Sequence, residues 1–269
     1  MPRRLFSSAA LPLLLCVLIC CGSYGAEANA NDGGTSSRVV LFDAGVTEMT
    51  DPASPSNKQK FESFSAPSLV YVNGVVVAFA EAHYTNATEN KPYVGVAARW
   101  KKADATPWAE GSAVVVDHYD AKVYRLLRPT AFVDESEVHL LLGGYGETGA
   151  PFTAETAAGY WKPRGASGRV SGDDDEGFEW HEQSTSPIPY DFDFKGFKEF
   201  LGGGGAGIRL GDNTFVLPVQ ALKADGKRVS LVVLARGTSY GWKFSEGTSH
   251  DGCVLPAVLE WGGAGGLLM

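Results

Sequence analysis

Three prolines, Pro67, Pro129 and Pro256, each open a short apolar run that reverses direction five to seven residues later. This recurrence constrains the fold more than any other feature of the chain. "PSLVYVNGVVVAFAEA" reads as two strands joined at Asn73-Gly74, a pair that supplies the positive φ angles a tight hairpin needs. "PTAFVDESEVHLLLGGY" repeats the plan with a turn at Asp134 to Glu137, and "PAVLEWGGAGGLLM" begins it again. A further hairpin, "GIRLGDNTFVLPVQA", turns at Gly211-Asp212-Asn213. Helical periodicity is weak throughout, so the chain is all-β. One sheet per repeat at intervals of about 50 to 75 residues is the signature of a β-propeller. A β-sandwich with fortuitous similarity between hairpins is the competing architecture. In a propeller the innermost strand of each blade starts at the rim of a central funnel, so residues beside the three prolines are candidates to face a ligand. Prolines also open strands for conformational reasons alone.

The chain ahead of these hairpins has a different character. Arg3 and Arg4, the apolar "ALPLLLCVLIC" and the small-residue stretch "GSYGAEANA" read as a secretory signal over residues 1–25. The apolar run is shorter than the roughly 20 residues a spanning helix needs, although an uncleaved signal anchor is the alternative. Residues 26–37 are small and polar and read as a linker, and residues 38–269 as the β domain. Cys16, Cys20 and Cys21 lie inside the signal, which leaves Cys253 alone and excludes both an intrachain disulfide and a multi-cysteine metal site in the mature chain. Without Arg3 and Arg4, 21 of the 23 basic side chains remain against 31 acidic ones. That balance disfavours nucleic acid and anionic membranes as partners. Any anionic ligand then depends on a few local arginines. The sequence points to no cofactor, and no later segment is long and apolar enough to span a bilayer.

The words "SFSAPSLVYVNGVVVAFAEAHY", "LLLGGY", "FLGGGGAGI", "VLPVQA", "GWKFSEG" and "GCVLPAVLEW" occur in an order that resembles the trypanosome trans-sialidase and sialidase family. The resemblance runs from about Arg38 to the last residue and implies roughly the first three to four blades of a six-bladed propeller. Active members, by the same resemblance, hold the sialic acid carboxylate with three arginines. They use a tyrosine nucleophile helped by a glutamate, and an aspartate as acid/base. A guanidinium fork suits a carboxylate, and an oxocarbenium-like transition state needs a nucleophile and a proton donor.

Residue by residue, the resemblance implies that much of this chemistry is changed. Ser65 in "FSAPSL" stands where the family has its first arginine, a loss of about 1.5–3 kcal/mol for one charge-assisted hydrogen bond. The other two arginines and the tyrosine would fall beyond Met269. Leu255 in "GCVLP" occupies the glutamate position, and Glu89 aligns with the acid/base aspartate, with a solvated loop acid as its plainer reading. His83 replaces an arginine, and Glu81 matches the nearby acid in charge. Arg125 matches a family arginine, whereas Arg128 replaces an aspartate. Phe152 falls near the acceptor-site tryptophan, and Glu199 replaces an amide and would repel an anionic sugar. Asn86-Ala87-Thr88 is a glycosylation sequon three residues from Glu89.

Other motifs carry less. "DDDEGFEW" approximates the family's Asp-box turn, and its acidic run reads as a surface turn more readily than as a calcium site. "GGGGAG" lacks the βαβ setting of a dinucleotide loop and reads as a tight strand entry. The resulting expectation is a sialidase-like chain on the secretory route, secreted or at the cell surface. Its catalytic site is eroded, and it has a sialoglycan-binding or antigenic role, with sialylated glycans or glycoproteins as partners. A fragment of a working exo-sialidase, and a product with no stable fold, are the alternatives.

Overall fold

A computed structural model describes residues 39–51, 54–86, 90–103, 108–109, 112–114, 123–146, 161–171, 177–181, 192–236, 241–261 and 266–269. The signal and linker regions therefore lie outside the described residues. Contacts within the chain divide it into Met1–Val39 and a compact unit, Val40–Met269, in which all the described strands lie. No helix occurs among the described residues.

The compact unit opens with a hairpin, β1 (Glu48–Asp51) and β2 (Ser54–Lys60), whose β1 bridges to β6 (Ser112–Val114) in parallel at Thr50 and Ser112. The first blade is β3 (Ser63–Val72), β4 (Val75–Asn86), β5 (Lys91–Lys102) and β6, in antiparallel order. The second is β7 (Val123–Asp134), β8 (Glu137–Gly146), β9 (Trp161–Val170) and β10 (Phe178–Trp180). A third sheet holds β11 (Glu199–Gly202), β12 (Ile208–Arg209), β13 (Thr214–Leu222), β14 (Arg228–Arg236) and β15 (Lys243–Phe244). The hairpin β16 (Leu259–Trp261) and β17 (Gly266–Leu268) starts a fourth. Among the described residues the sheets do not close into a ring, and the unit is a partial propeller.

Turn chemistry sets the hairpins. Asn73 and Gly74 both take positive φ, 48° and 80°, as the two-residue turn between β3 and β4 requires. The continuous apolar runs arise because a blade is covered on both faces. In β8, Leu140 and Leu142 pack into a core shared with the first blade, around Phe79, Val96 and Phe178. Leu141, between them, points the other way into a core with Phe200, Phe215, Leu217 and Trp242. Alternation of period two thus divides one leucine run between two interblade cores.

The end blades differ. On β3, Val70 and Val72 are buried while Leu69 and Tyr71 are 56% and 64% exposed, so only one face of this strand is covered. Leu259, Leu267 and Leu268 of the last hairpin are exposed as well.

The residue before each of the three prolines lies in the left-handed region: Ala66 at φ 47°, Arg128 at 59° and Leu255 at 58°. A residue preceding proline ordinarily takes an extended conformation, and L-residues reach the left-handed region only at a cost. The ladder skips from Ser65 to Ser68 and from Leu127 to Thr130, so the first two of these residues sit in bulges. The tetraglycine lies against Ala66, Arg128 and, at the third site, the proline itself. A Cβ on Gly202 would strike the Arg128 carbonyl, and one on Gly203 the Pro256 carbonyl. Gly204 passes so close to Ala66 that a Cβ there would sit 3.1 Å from the Ala66 Cβ. Glycine is used because backbones from three other repeats converge on this segment.

Candidate functional site

A polar cluster surrounds the first two bulges. Glu81 is the one charged residue in the apolar run "VVVAFAEA" of β4, and it is 4% exposed. A buried carboxylate needs donors on every side. Glu81 Oε2 accepts the Ser65 hydroxyl at 2.5 Å and lies 3.2 Å from His83 Nε2, while Oε1 accepts the Arg128 backbone N–H at 2.6 Å. The Arg128 Nε is 3.8 Å from Oε1. Burial by itself would push the Glu81 carboxyl up. The bonds from His83, Ser65 and the Arg128 amide, together with the Arg128 charge, outweigh burial and hold it below its ordinary value of 4.5.

This lowered value has a consequence for stability. A carboxyl depressed in the folded state contributes stability above its unfolded value and loses it as pH falls through the folded one. Glu81→Gln is therefore expected to shrink the loss of thermal stability between pH 7 and pH values below about 4.5. Thermal melts of the two proteins across that range check it; parallel curves would show that Glu81 is not the group responsible.

The cluster contains serine, histidine and glutamate but is not a nucleophilic triad. His83 Nε2 lies 3.0 Å from Ser65 Oγ and 3.2 Å from Glu81, so one ring nitrogen faces both groups. In a triad the acid orients the imidazole through the opposite nitrogen. Here the Ser65 proton goes to a carboxylate that has been made a weaker base. The arrangement can hold a rim in shape and present positive charge; it does not activate a hydroxyl.

A matching bond occurs before the third proline, Pro256. Gln220, 4% exposed within "FVLPVQA" of β13, accepts the Leu255 backbone N–H through Oε1 at 3.2 Å. Glu81 and Gln220 thus each grip the amide of the pre-proline residue in the following repeat. A single polar residue inside an apolar strand marks both positions; Glu81 is named from sequence through the family resemblance, and Gln220 is not.

The remaining candidates are dispersed. Arg125, half-buried, is joined to His83 in register through Val94, the residue opposite both. Leu255 is exposed. Glu199 is fully buried: it accepts the Tyr145 hydroxyl at 2.8 Å and is ion-paired with Arg228. Burial, then the Glu199 charge and the bond to it, push the Tyr145 phenol far above its usual range, so this tyrosine stays neutral. Neither Tyr145 nor Arg228 was anticipated from sequence. Asn86 ends β4, and Glu89 and Phe152 lie outside the described residues, as does the acidic run Asp173 to Glu176. Among the described residues, no group of three or more potential ligands could hold a metal ion. No helix there is long and apolar enough to cross a membrane.

Comparison with known proteins places this geometry in context. The BNR repeat-like domain profile matches residues 66–269. Sialidase 85-1.1 of Trypanosoma cruzi is 28% identical over 284 aligned residues, covering 90% of this chain and 36% of the relative. A second sialidase of that organism is 26% identical over 195 residues, 70% of this chain and 17% of its own length. Among solved structures, Trypanosoma rangeli sialidase superposes with a TM-score of 0.70 at 28% identity, covering 86% of this chain and 38% of that one. The same enzyme in complex with sialic acid gives 0.68 at 29% identity, with the same coverage. The chain spans about a third or less of the length of these curated relatives.

Proposed function

The chain belongs to the BNR repeat-like family and, within it, to the sialidase superfamily, and from that premise we propose that it binds sialylated glycans without cleaving them. The observation that carries this reading is the state of Ser65. It stands where the resemblance puts a carboxylate-gripping arginine, and its hydroxyl is spent on the buried Glu81. A neutral hydroxyl bonded to a wall carboxylate has no charge to offer an anionic sugar. Leu255, at the position of the nucleophile's glutamate, is an exposed alkyl group that cannot take a proton. Arg128, paired with Glu81, and Arg125 are the basic side chains closest to this cluster, and a T. rangeli relative has been captured with sialic acid bound.

The protein acts on the secretory route, secreted or at the cell surface, where the signal-like residues 1–25 and the Asn86 sequon are consistent with exposure to glycans and antibodies. Arg125, Arg128 and His83 are the residues assigned to ligand contact; Glu89 is the remaining carboxyl at the acid/base position. A sialoglycan array probed with the purified protein tests this reading. Retention on sialylated spots, lost on their desialylated counterparts, with the printed glycans recovered intact by mass spectrometry, is the expected result. Desialylated product on the array would favour a piece of a working exo-sialidase instead.

A further inference from the structure

The junctions between blades are built to one plan. Val70 of β3 lies opposite Val77 of β4, and both enter a core with Ala131 of β7, the strand that opens the next blade. Val133, also on β7, packs against the same core. One blade on, Phe132 lies opposite His139 and passes into the core shared with the third blade, beside Phe215 and Leu217. The trailing face of each blade thus meets the leading face of the strand that opens the next. Because strand side chains alternate, position along the strand fixes which face a residue joins. Counted from the residue before each proline, Val70, Phe132 and Leu259 hold the same place. So do Leu69 and Ala131, and likewise Tyr71 and Val133.

The two ends of the array carry the two halves of one more such junction. Leu259 lies opposite Leu268 in the last hairpin, in the register of Val70 and Val77. These leucines are 45% and 42% exposed, whereas the valines are 8% and 0% exposed. At the other end the exposed Leu69 and Tyr71 occupy the places that Ala131 and Val133 fill on β7. The whole of β3, "SFSAPSLVYV", holds no charged side chain. We infer that a second copy of this chain covers β3, with the Leu259–Leu268 face of one copy packed on the Leu69–Tyr71 face of the next. Head to tail between copies, this reproduces the junction that Val70 and Val77 make with Ala131 within the chain. A second copy is the occupant because this chain supplies both surfaces in matching register. Removal of the two apolar faces from water drives the contact, which involves no glycan. Joining two different patches makes it heterologous, so every copy offers one patch of each kind.

Sedimentation velocity of the full chain tests this with wild type, Tyr71→Asp, Leu268→Asp and an equimolar mixture of the two variants. Both substitutions fall on exposed side chains, so each variant is expected to melt as cooperatively as wild type. Leu69→Asp and Leu259→Asp, on the same two faces, replace any variant that does not. Wild type is expected to sediment as an assembly of more than one chain. Each variant alone is expected to associate roughly 100-fold or more weakly, because its aspartate would enter an apolar junction without a partner. The mixture is expected to form a one-to-one complex, since the two variants between them keep one intact face of each kind. Monomeric wild type overturns the inference. So does either variant associating as wild type does, which would mark a contact between like faces or elsewhere. A mixture that forms no one-to-one complex overturns it as well.

Discussion

Replacing Glu199 by alanine is expected to lower the unfolding free energy by about 3 kcal/mol, a large part of what a domain ordinarily has. Glu199 is fully enclosed between the second and third blades, bonded to Tyr145 and paired with Arg228. Removing the carboxylate leaves a guanidinium without its partner and a buried phenol without its acceptor, and both groups have given up water to be there. The figure sits at the lower end of the usual range for a broken buried pair because Arg228 keeps 26% of its side chain exposed. Tyr145→Phe, which removes only the donor, is expected to cost about 1–2 kcal/mol. The double replacement Glu199→Leu with Arg228→Met is expected to recover most of the loss, since neither charge then remains buried. Denaturant unfolding of the four proteins checks the series. A double variant no better than Glu199→Ala would show that the site tolerates no apolar filling.

The second large effect is a failure of rescue. Ser65→Arg is expected to leave turnover of a sialylated substrate undetectable, although it restores the side chain that the family resemblance calls for. An arginine at position 65 would emerge beside a buried carboxylate that now lies 2.5 Å from the serine hydroxyl. Pairing with Glu81 would draw the guanidinium into the wall and displace His83 or Arg128 from it. The alkyl side chain of Leu255 would also remain where the family resemblance puts the nucleophile's glutamate. General acid–base assistance ordinarily contributes about 10²–10⁴-fold, so this deficit alone outweighs what a repaired clamp supplies.

Much of the scaffold was legible because its determinants are local. Asn73-Gly74, Asp134 to Glu137 and Gly211 to Asn213 turn where their turn chemistry says they should, between strand pairs β3–β4, β7–β8 and β12–β13. The leucines of "LLLGGY" read as one strand of a hairpin; that they divide between two cores is set by the neighbouring blades. The site was less legible because its bonds join residues far apart in the chain. Nothing in "VVVAFAEA" says that Glu81 will grip the amide of Arg128, 47 residues away. Nothing near Glu199 says that a tyrosine 54 residues earlier will be its donor. The tetraglycine was visible as a tight entry, but the need for it comes from the Arg128 and Pro256 carbonyls and from Ala66, supplied by three other repeats.

One feature of the scaffold bears on how the protein is handled. Leu69 and Tyr71 on the open face of β3, and Leu259, Leu267 and Leu268 on the last hairpin, are exposed apolar groups at the two ends of an unclosed array. Such surfaces favour association, so a cooperative melt belongs beside every activity measurement.

The central claim, a sialidase scaffold that holds its ligand without cutting it, is tested most directly by fluorophore release from a methylumbelliferyl sialoside. Cooperatively folded wild type and Ser65→Arg would be assayed at pH 5.5 and 7. The expected result is release by both proteins indistinguishable from buffer at either pH. Saturable, protein-dependent release by the wild-type chain would contradict it.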